Sequence, residues 1–205
     1  MASSYLNRLQ VIGDPQVQKF TPELSANLKG DRGREITVST QRLGLLASAA
    51  LRVMHPELYF AGLHTMLRLG EWAEKQGDVE LLDCLKTWAS VFNVATVMCN
   101  RSTPPHRDPK CPPEALDIMM SVGEYGPAVM DLTNLGITLG YQSGTMVATC
   151  CRIVRHAVDV ECGDRVMWAW FMRDTVHNFV DTPRPQHARD VCFVYSSLSS
   201  GRLVF

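Results

Sequence analysis

The chain has 205 residues and a mass of 22.9 kDa, the size of a single domain. Its 46% apolar and 20% charged residues exclude a disordered chain and supply enough side chains for a core. The net charge of −1, from 20 basic and 21 acidic residues, excludes a uniformly basic nucleic-acid coat but leaves room for a local basic groove. Seven cysteines, an odd number with Cys150 and Cys151 adjacent and no CxxC, argue against a disulfide framework or a zinc ribbon and for a reducing compartment. The opening MASSYLNRLQVIGD lacks the apolar run of a signal peptide, and no run of 18 apolar residues follows. A soluble intracellular chain with no membrane partner is expected.

Residues 1–41 are mixed and polar, with Lys29, Arg32 and Arg34 set around Gly30 and Gly33, and read as a short strand or helix followed by a flexible basic loop. Residues 42–92 carry helical periodicity: Leu43, Leu46, Ala50, Leu51 and Met54, then Phe60, Leu63, Leu67 and Trp72, then Leu81, Leu82, Leu85, Trp88 and Phe92. Pro56 breaks the first helix from the second, Gln76-Gly77 stops the second, and Asp78 is the expected N-cap of the third. From 93 to 205 the pattern changes. NVATVMCN, ALDIMMSV, AVMDLT, ITLGY, TMVATCC, IVRHAVD and DRVMWAWFM are short, rich in β-branched and aromatic residues, and mostly separated by glycine turns. Closely spaced strands after a run of helices predict an α+β protein, a β-sandwich or barrel backed by a helical layer.

Six histidines are the first candidates for chemistry. His55 and His64 lie in helical text and His187 in the Pro-rich TPRPQHARD, so all three read as surface or packing residues. His106 stands in NRSTPPHRDPK, two residues before Asp108. In an extended segment, residues i and i+2 project to one side, so this imidazole and carboxylate can meet one ion. A third donor is available in His156 of IVRHAVD, and Arg165 opens the next strand run. Two histidines and a carboxylate with open positions describe the facial triad of non-haem Fe(II) oxygenases. An arginine in a sheet interior needs an anion, which a dicarboxylate cosubstrate supplies.

The stretch from about Asn100 to His177 resembles the fungal branch of the TET/JBP family of 2-oxoglutarate- and Fe(II)-dependent nucleobase dioxygenases. The segments NRSTPPHRD, LTNLGITLGYQSGTMVATCCRIVRHAV and GDRVMWAWFMRDTVH carry the resemblance. It implies a double-stranded β-helix (jelly-roll) core backed by an N-terminal layer of helices, in one oxygenase domain spanning 1–205. It implies Fe(II) held by His106, Asp108 and His156, with 2-oxoglutarate on Arg165 and O2 as cosubstrate. It further implies cosubstrate or base positioning by Asn100 and Arg101, and substrate contacts from Arg173. His177 is the competitor of His156 for the metal, or else a residue near substrate. The implied partner is DNA with a flipped methylated base, no obligate protein partner, and a nuclear location. The leading activity is oxidation of 5-methylcytosine to 5-hydroxymethylcytosine and further products. Phosphate contacts are expected from Lys29, Arg32, Arg34, Arg101, Arg107, Lys110, Arg184 and Arg189.

The alternatives are demethylation of N6-methyladenine, hydroxylation of a peptide or small molecule, and an inactive β-sandwich that only binds. A structural zinc protein ranks last, because it needs Cys99, Cys111, Cys150, Cys151 or Cys162 to converge from spacings that match no common zinc module.

Overall fold

The computed structural model describes residues 6–12, 21–109 and 111–182. Its elements run β1 (Leu6–Ile12), β2 (Thr21–Leu24), a 3-10 turn (Ala26–Leu28), α1 (Gly30–Ser39), α2 (Gln41–Met54), α3 (Pro56–Gln76) and α4 (Val79–Thr87). Then follow β3 (Val94–Cys99), β4 (Thr103–His106), β5 (Asp117–Tyr125), β6 (Ala128–Leu132), β7 (Ile137–Gly140), β8 (Met146–Thr149), β9 (His156–Val160), β10 (Gly163–Phe171) and α5 (Asp174–Phe179).

The helical layer obeys its punctuation. Pro56 takes the first position of α3, where its missing N–H costs nothing, and His55 Nδ1 accepts from the Leu58 N–H at 3.2 Å. Gly77 ends α3 in the left-handed conformation at φ 68°, and the Asp78 carboxylate accepts from the Leu81 N–H at 3.0 Å to start α4. The segment expected to be a flexible basic loop is instead the helix α1. It is held from outside its own sequence by the hydroxyl of Thr87, 2.7 Å from that of Thr37, and its Gly33 is buried against the Leu28 backbone. Arg32 and Arg34 are exposed on it, and Lys29 just before it pairs with Glu23 at 2.8 Å. No helix among the described residues is long and apolar enough to cross a membrane.

The seven strand-like runs become β3 and β5–β10, in two antiparallel sheets. The major sheet has the order β2-β1-β3-β10-β5-β8, and the minor sheet β4-β9-β6-β7. The first two strands thus extend the major sheet. Strand β10 shows how the sheets are used. Trp168 and Trp170 stack with ring centroids 5.8 Å apart and pack with Leu51, Leu58 and Phe92 from the helical side. On the other face stand Arg165, Met167, Ala169 and Phe171, turned toward the minor sheet, as the two-residue period of a strand requires. Between the sheets Met119, Met130, Tyr141 and Val158 form a second core. This is the expected α+β architecture, a double-stranded β-helix with helices backing its major sheet.

Helix α3 sits very close to the sheet layer at Gly62, where an added Cβ would lie 2.6 Å from the Val91 carbonyl oxygen and 2.6 Å from the Met172 methyl. The methionine tip can swing away, but the backbone carbonyl cannot. Gly62→Ala is therefore expected to lose about 1–3 kcal/mol to overpacking, more than the roughly 1 kcal/mol that alanine gains in helix propensity. Denaturant unfolding checks this, and a raised midpoint would contradict the close approach.

Candidate functional site

The minor sheet brings two histidines face to face. His106 and His156 are direct cross-strand partners in the β4–β9 ladder, and their ring centroids are 4.2 Å apart. Each Nδ1 meets a backbone carbonyl, that of Pro104 at 2.9 Å for His106 and that of Val154 at 3.2 Å for His156. A carbonyl only accepts, so each ring bears a proton on Nδ1, which makes Nε2 the nitrogen that a metal would take. Asp108 follows β4 on a loop pinned by its own N–H, which donates to the Cys151 carbonyl at 2.9 Å. Its Oδ1 lies 3.9 Å from His106 Nε2 and its Oδ2 lies 4.0 Å from His156 Nε2.

These separations are too long for hydrogen bonds. They suit donors that converge, each about 2 Å away, on one ion between them, and the three donor atoms lie within 4.8 Å of one another. Burial holds the His156 imidazole below its ordinary pKa, outweighing the Val154 carbonyl and the Asp108 charge that act the other way. The neutral form so favoured is the one that binds metal.

The three residues line a cavity of about 360 Å³, together with Thr96, Met98 and Met167 among others. That volume falls within the roughly 300–1,000 Å³ of small-molecule sites. Arg165 stands one step beyond Met167 along the inward face of β10 and is 2% exposed. Its Nε donates to Ser121 Oγ at 2.7 Å, its Nη1 to the Arg101 carbonyl at 3.1 Å, and its Cζ sits 5.3 Å from the centre of the Tyr141 ring. Nη2 is buried with no hydrogen-bond partner. An unmet guanidinium edge in a core is costly, and an anion is what satisfies it. Two imidazoles and one carboxylate fit a divalent metal, and the Arg165 edge, on a residue outside this cavity's lining and packed against Tyr141, is chemically suited to an anion.

Asn100 and Arg101 hold Arg165 in place. The Asn100 Oδ1 accepts from the Arg165 backbone N–H at 2.6 Å, and its Nδ2 donates to Asp164 Oδ1 at 3.1 Å. The Arg101 side chain lines the cavity, and so does Arg173, whose Cζ lies 4.8 Å from the Phe171 ring centre. His177 is elsewhere. It is buried in α5, with Nδ1 3.1 Å from the Thr65 hydroxyl of α3, and is not among the cavity's lining residues. Its contact with Thr65 joins α5 to α3, away from the His106–Asp108–His156 group. Arg107 is exposed between the two donors His106 and Asp108, whereas Lys110, Arg184, His187 and Arg189 lie outside the described residues.

Four residues of the site escaped the sequence reading. Ser121 steadies Arg165, while Asp117, Cys111 and Cys151 line the cavity next to Asp108. Asp117 heads β5, and burial pushes its carboxyl up to about 7, against the pull of the neighbouring thiols of Cys151 and Cys111. Burial likewise pushes both thiols well above the usual cysteine range. The signals available were a serine and an aspartate at inward, alternate positions of an otherwise apolar strand, DIMMS.

A family model described as the oxygenase domain of the 2OGFeDO superfamily, Tet_JBP, matches residues 21–174. The chain belongs to this family of 2-oxoglutarate- and Fe(II)-dependent dioxygenases, whose cofactors are Fe(II) and 2-oxoglutarate with O2 as cosubstrate. Among solved structures it is similar to NgTET1 in complex with 5mC DNA, with a TM-score of 0.60 and 12% identity over 95% of this chain and 69% of that one. That likeness concerns the fold. A cupin 2 conserved barrel domain protein from Salinispora arenicola (TM-score 0.31, 13% identity, 43% of this chain and 70% of that one) shares less. So does the hydroxypropylphosphonic acid epoxidase from S. wedmorenis (TM-score 0.28, 11% identity, 38% and 42%). No curated protein shows a match to the sequence.

Proposed function

We propose that this dioxygenase oxidises the methyl group of a modified base in DNA, with 5-methylcytosine as its first substrate and 5-hydroxymethylcytosine as its first product. The observation that carries the reading is the His106–His156 ladder pair with one Asp108 oxygen turned toward each Nε2. In this reading His106, Asp108 and His156 hold Fe(II), and the open Nη2 edge of Arg165 takes the far carboxylate of 2-oxoglutarate. Bound together, Fe(II) and 2-oxoglutarate supply the oxidising power by coupling O2 reduction to loss of CO2.

The chain's own residues do the rest. The carbonyls of Pro104 and Val154 fix both ring tautomers, and Ser121, Asn100 and the Arg101 carbonyl fix the guanidinium. Met98, Met167 and Phe171 give the cavity apolar walls that keep water from the reacting methyl group. A methyl group stacked within a duplex cannot reach this recess, so the nucleotide has to flip out. In this reading Arg101 and Arg173, which line the cavity, meet its phosphates or base edge. Support for DNA comes from the family and from the fold shared with a protein solved on 5mC DNA. A DNA substrate also implies a nuclear enzyme.

The test is nucleoside mass spectrometry after reaction with duplexes carrying 5-methylcytosine or N6-methyladenine, and with peptides, in the presence of Fe(II), ascorbate and 2-oxoglutarate. Hydroxymethylcytosine should accumulate, and duplex affinity should fall steeply with salt as phosphate contacts release counterions. Loss of N6-methyladenine alone would reassign the base, and turnover on peptides alone would remove DNA from the reading.

A further inference from the structure

Behind the Asp108 carboxylate lies a second group of donors that the oxidation does not use. Asp117 is 2% exposed, and neither of its carboxylate oxygens has a hydrogen-bond partner. One of its oxygens, one of Asp108 and the Cys151 Sγ all lie within 4.8 Å of one another. The Cys111 thiol faces the same Asp117 carboxylate, and both cysteines are 1% exposed. Their backbone is tied down: the Cys111 N–H donates to the Asp108 carbonyl at 3.3 Å, Asp108 N–H to the Cys151 carbonyl at 2.9 Å, and Arg152 to the Cys111 carbonyl at 3.0 Å. Cys150 takes no part, because its thiol donates to the Pro113 carbonyl at 3.0 Å. Three separate segments thus bring one thiol and two carboxylates within 4.8 Å of one another, with the Cys111 thiol set on the Asp117 carboxylate. A buried carboxylate faced by two weak thiol donors and the Arg173 charge alone is costly, and a directly bound cation would satisfy it better.

We infer that Cys111, Cys151, Asp117 and Asp108 form a second metal site, for a thiophilic divalent cation of the zinc type. Two sulfur and two oxygen donors suit a tetrahedral d10 ion, whereas two imidazoles and a carboxylate with open positions suit Fe(II). The ion takes the place of the two thiol protons. Asp108 belongs to both donor sets, so filling this site draws it away from His106 and His156. Zinc here and iron there exclude one another, and free zinc becomes an off switch for the oxygenase. The exclusion rests on the proposed iron ligation by Asp108; the second site does not.

X-ray absorption at the zinc edge, on the full reduced chain carrying one equivalent of Zn(II), tests the site directly. Two sulfur neighbours at about 2.3 Å are expected, and a shell of nitrogen and oxygen alone overturns the proposal. Cys111→Ala with Cys151→Ala should remove the sulfur shell, while Cys99→Ala should keep it; sulfur persisting in the double variant is equally fatal. Should the double variant not fold, Asp117→Asn, which preserves shape, is expected to weaken Zn(II) at least tenfold against a chelator, and unchanged affinity overturns the assignment. His106→Ala with His156→Ala should retain the zinc–sulfur shell, and its disappearance there would show that zinc depends on the histidines instead. Fe(II) binding by the zinc-free wild type tests the triad separately. Fe(II) binding at full affinity alongside sulfur-bound zinc would overturn the exclusion.

Discussion

Asp108→Ala is expected to abolish Fe(II) binding and reduce turnover to background while the fold survives. Its side chain is 48% exposed, so truncation opens no core cavity. The loop stays anchored through the backbone N–H of residue 108 to the Cys151 carbonyl. What is lost is the one anionic donor between two imidazoles, and water cannot replace its charge. Losing an outer-shell partner of a metal ligand costs about 10–100-fold, so losing the ligand itself should cost more. Asp117 is buried and its oxygens are grouped with Asp108 and Cys151 rather than with the two histidine nitrogens, so it is not expected to substitute. Anaerobic Fe(II) titration and 2-oxoglutarate-dependent succinate release are the measurements, with His106→Ala as the companion. Wild-type turnover by folded Asp108→Ala protein would end the triad reading.

The second large effect separates the metal from its cosubstrate. Arg165→Lys keeps the charge but loses the planar fork that now serves Ser121, the Arg101 carbonyl and an open edge at once. A lysine ammonium at the same depth is drawn to the first two and leaves the third position unfilled. The 2-oxoglutarate requirement should rise roughly tenfold or more, from the loss of a charge-assisted bond of about 1.5–3 kcal/mol, with Fe(II) binding little changed. His156→Ala should lose the metal and His177→Ala should keep it, since His177 bonds to Thr65 in the helical layer. Iron retained in the first and lost in the second would move the ligand set by one element and take Arg165's role with it.

The parts legible in the sequence were those with local causes. Apolar periodicity, Pro56, Gly77 and the Asp78 cap define α2–α4, and β-branched runs between glycine turns define seven strands. Helix α1 was hidden because GDRGREITVS has two glycines and little apolar periodicity, and its support comes from Thr87, fifty residues away. Strand β4 was hidden by Pro104 and Pro105, which sheets tolerate only at an edge, and β4 is an edge. The site divides in the same way. His106 and Asp108 are visible as HxD, and His156 and Arg165 as a histidine and an arginine on the two following strand runs, with their roles implied by the resemblance. Asp117, Cys111 and Cys151 lie on three segments that no spacing connects, so only the fold reveals their neighbourhood.

That edge position has a mechanical consequence. Strand β4 is the outermost strand of the minor sheet and is registered to β9 at only two places, Thr103 to Val158 and His106 to His156, with an irregularity between them. An ion shared by both rings acts as a rivet through the weaker end of this seam, adding a cross-link where the ladder is thinnest. Without such an ion, the edge strand that carries His106 is the expected place for local opening of this sheet to begin. Under the proposed ligation, iron loading would cross-link this seam as well as equip the chain for oxidation.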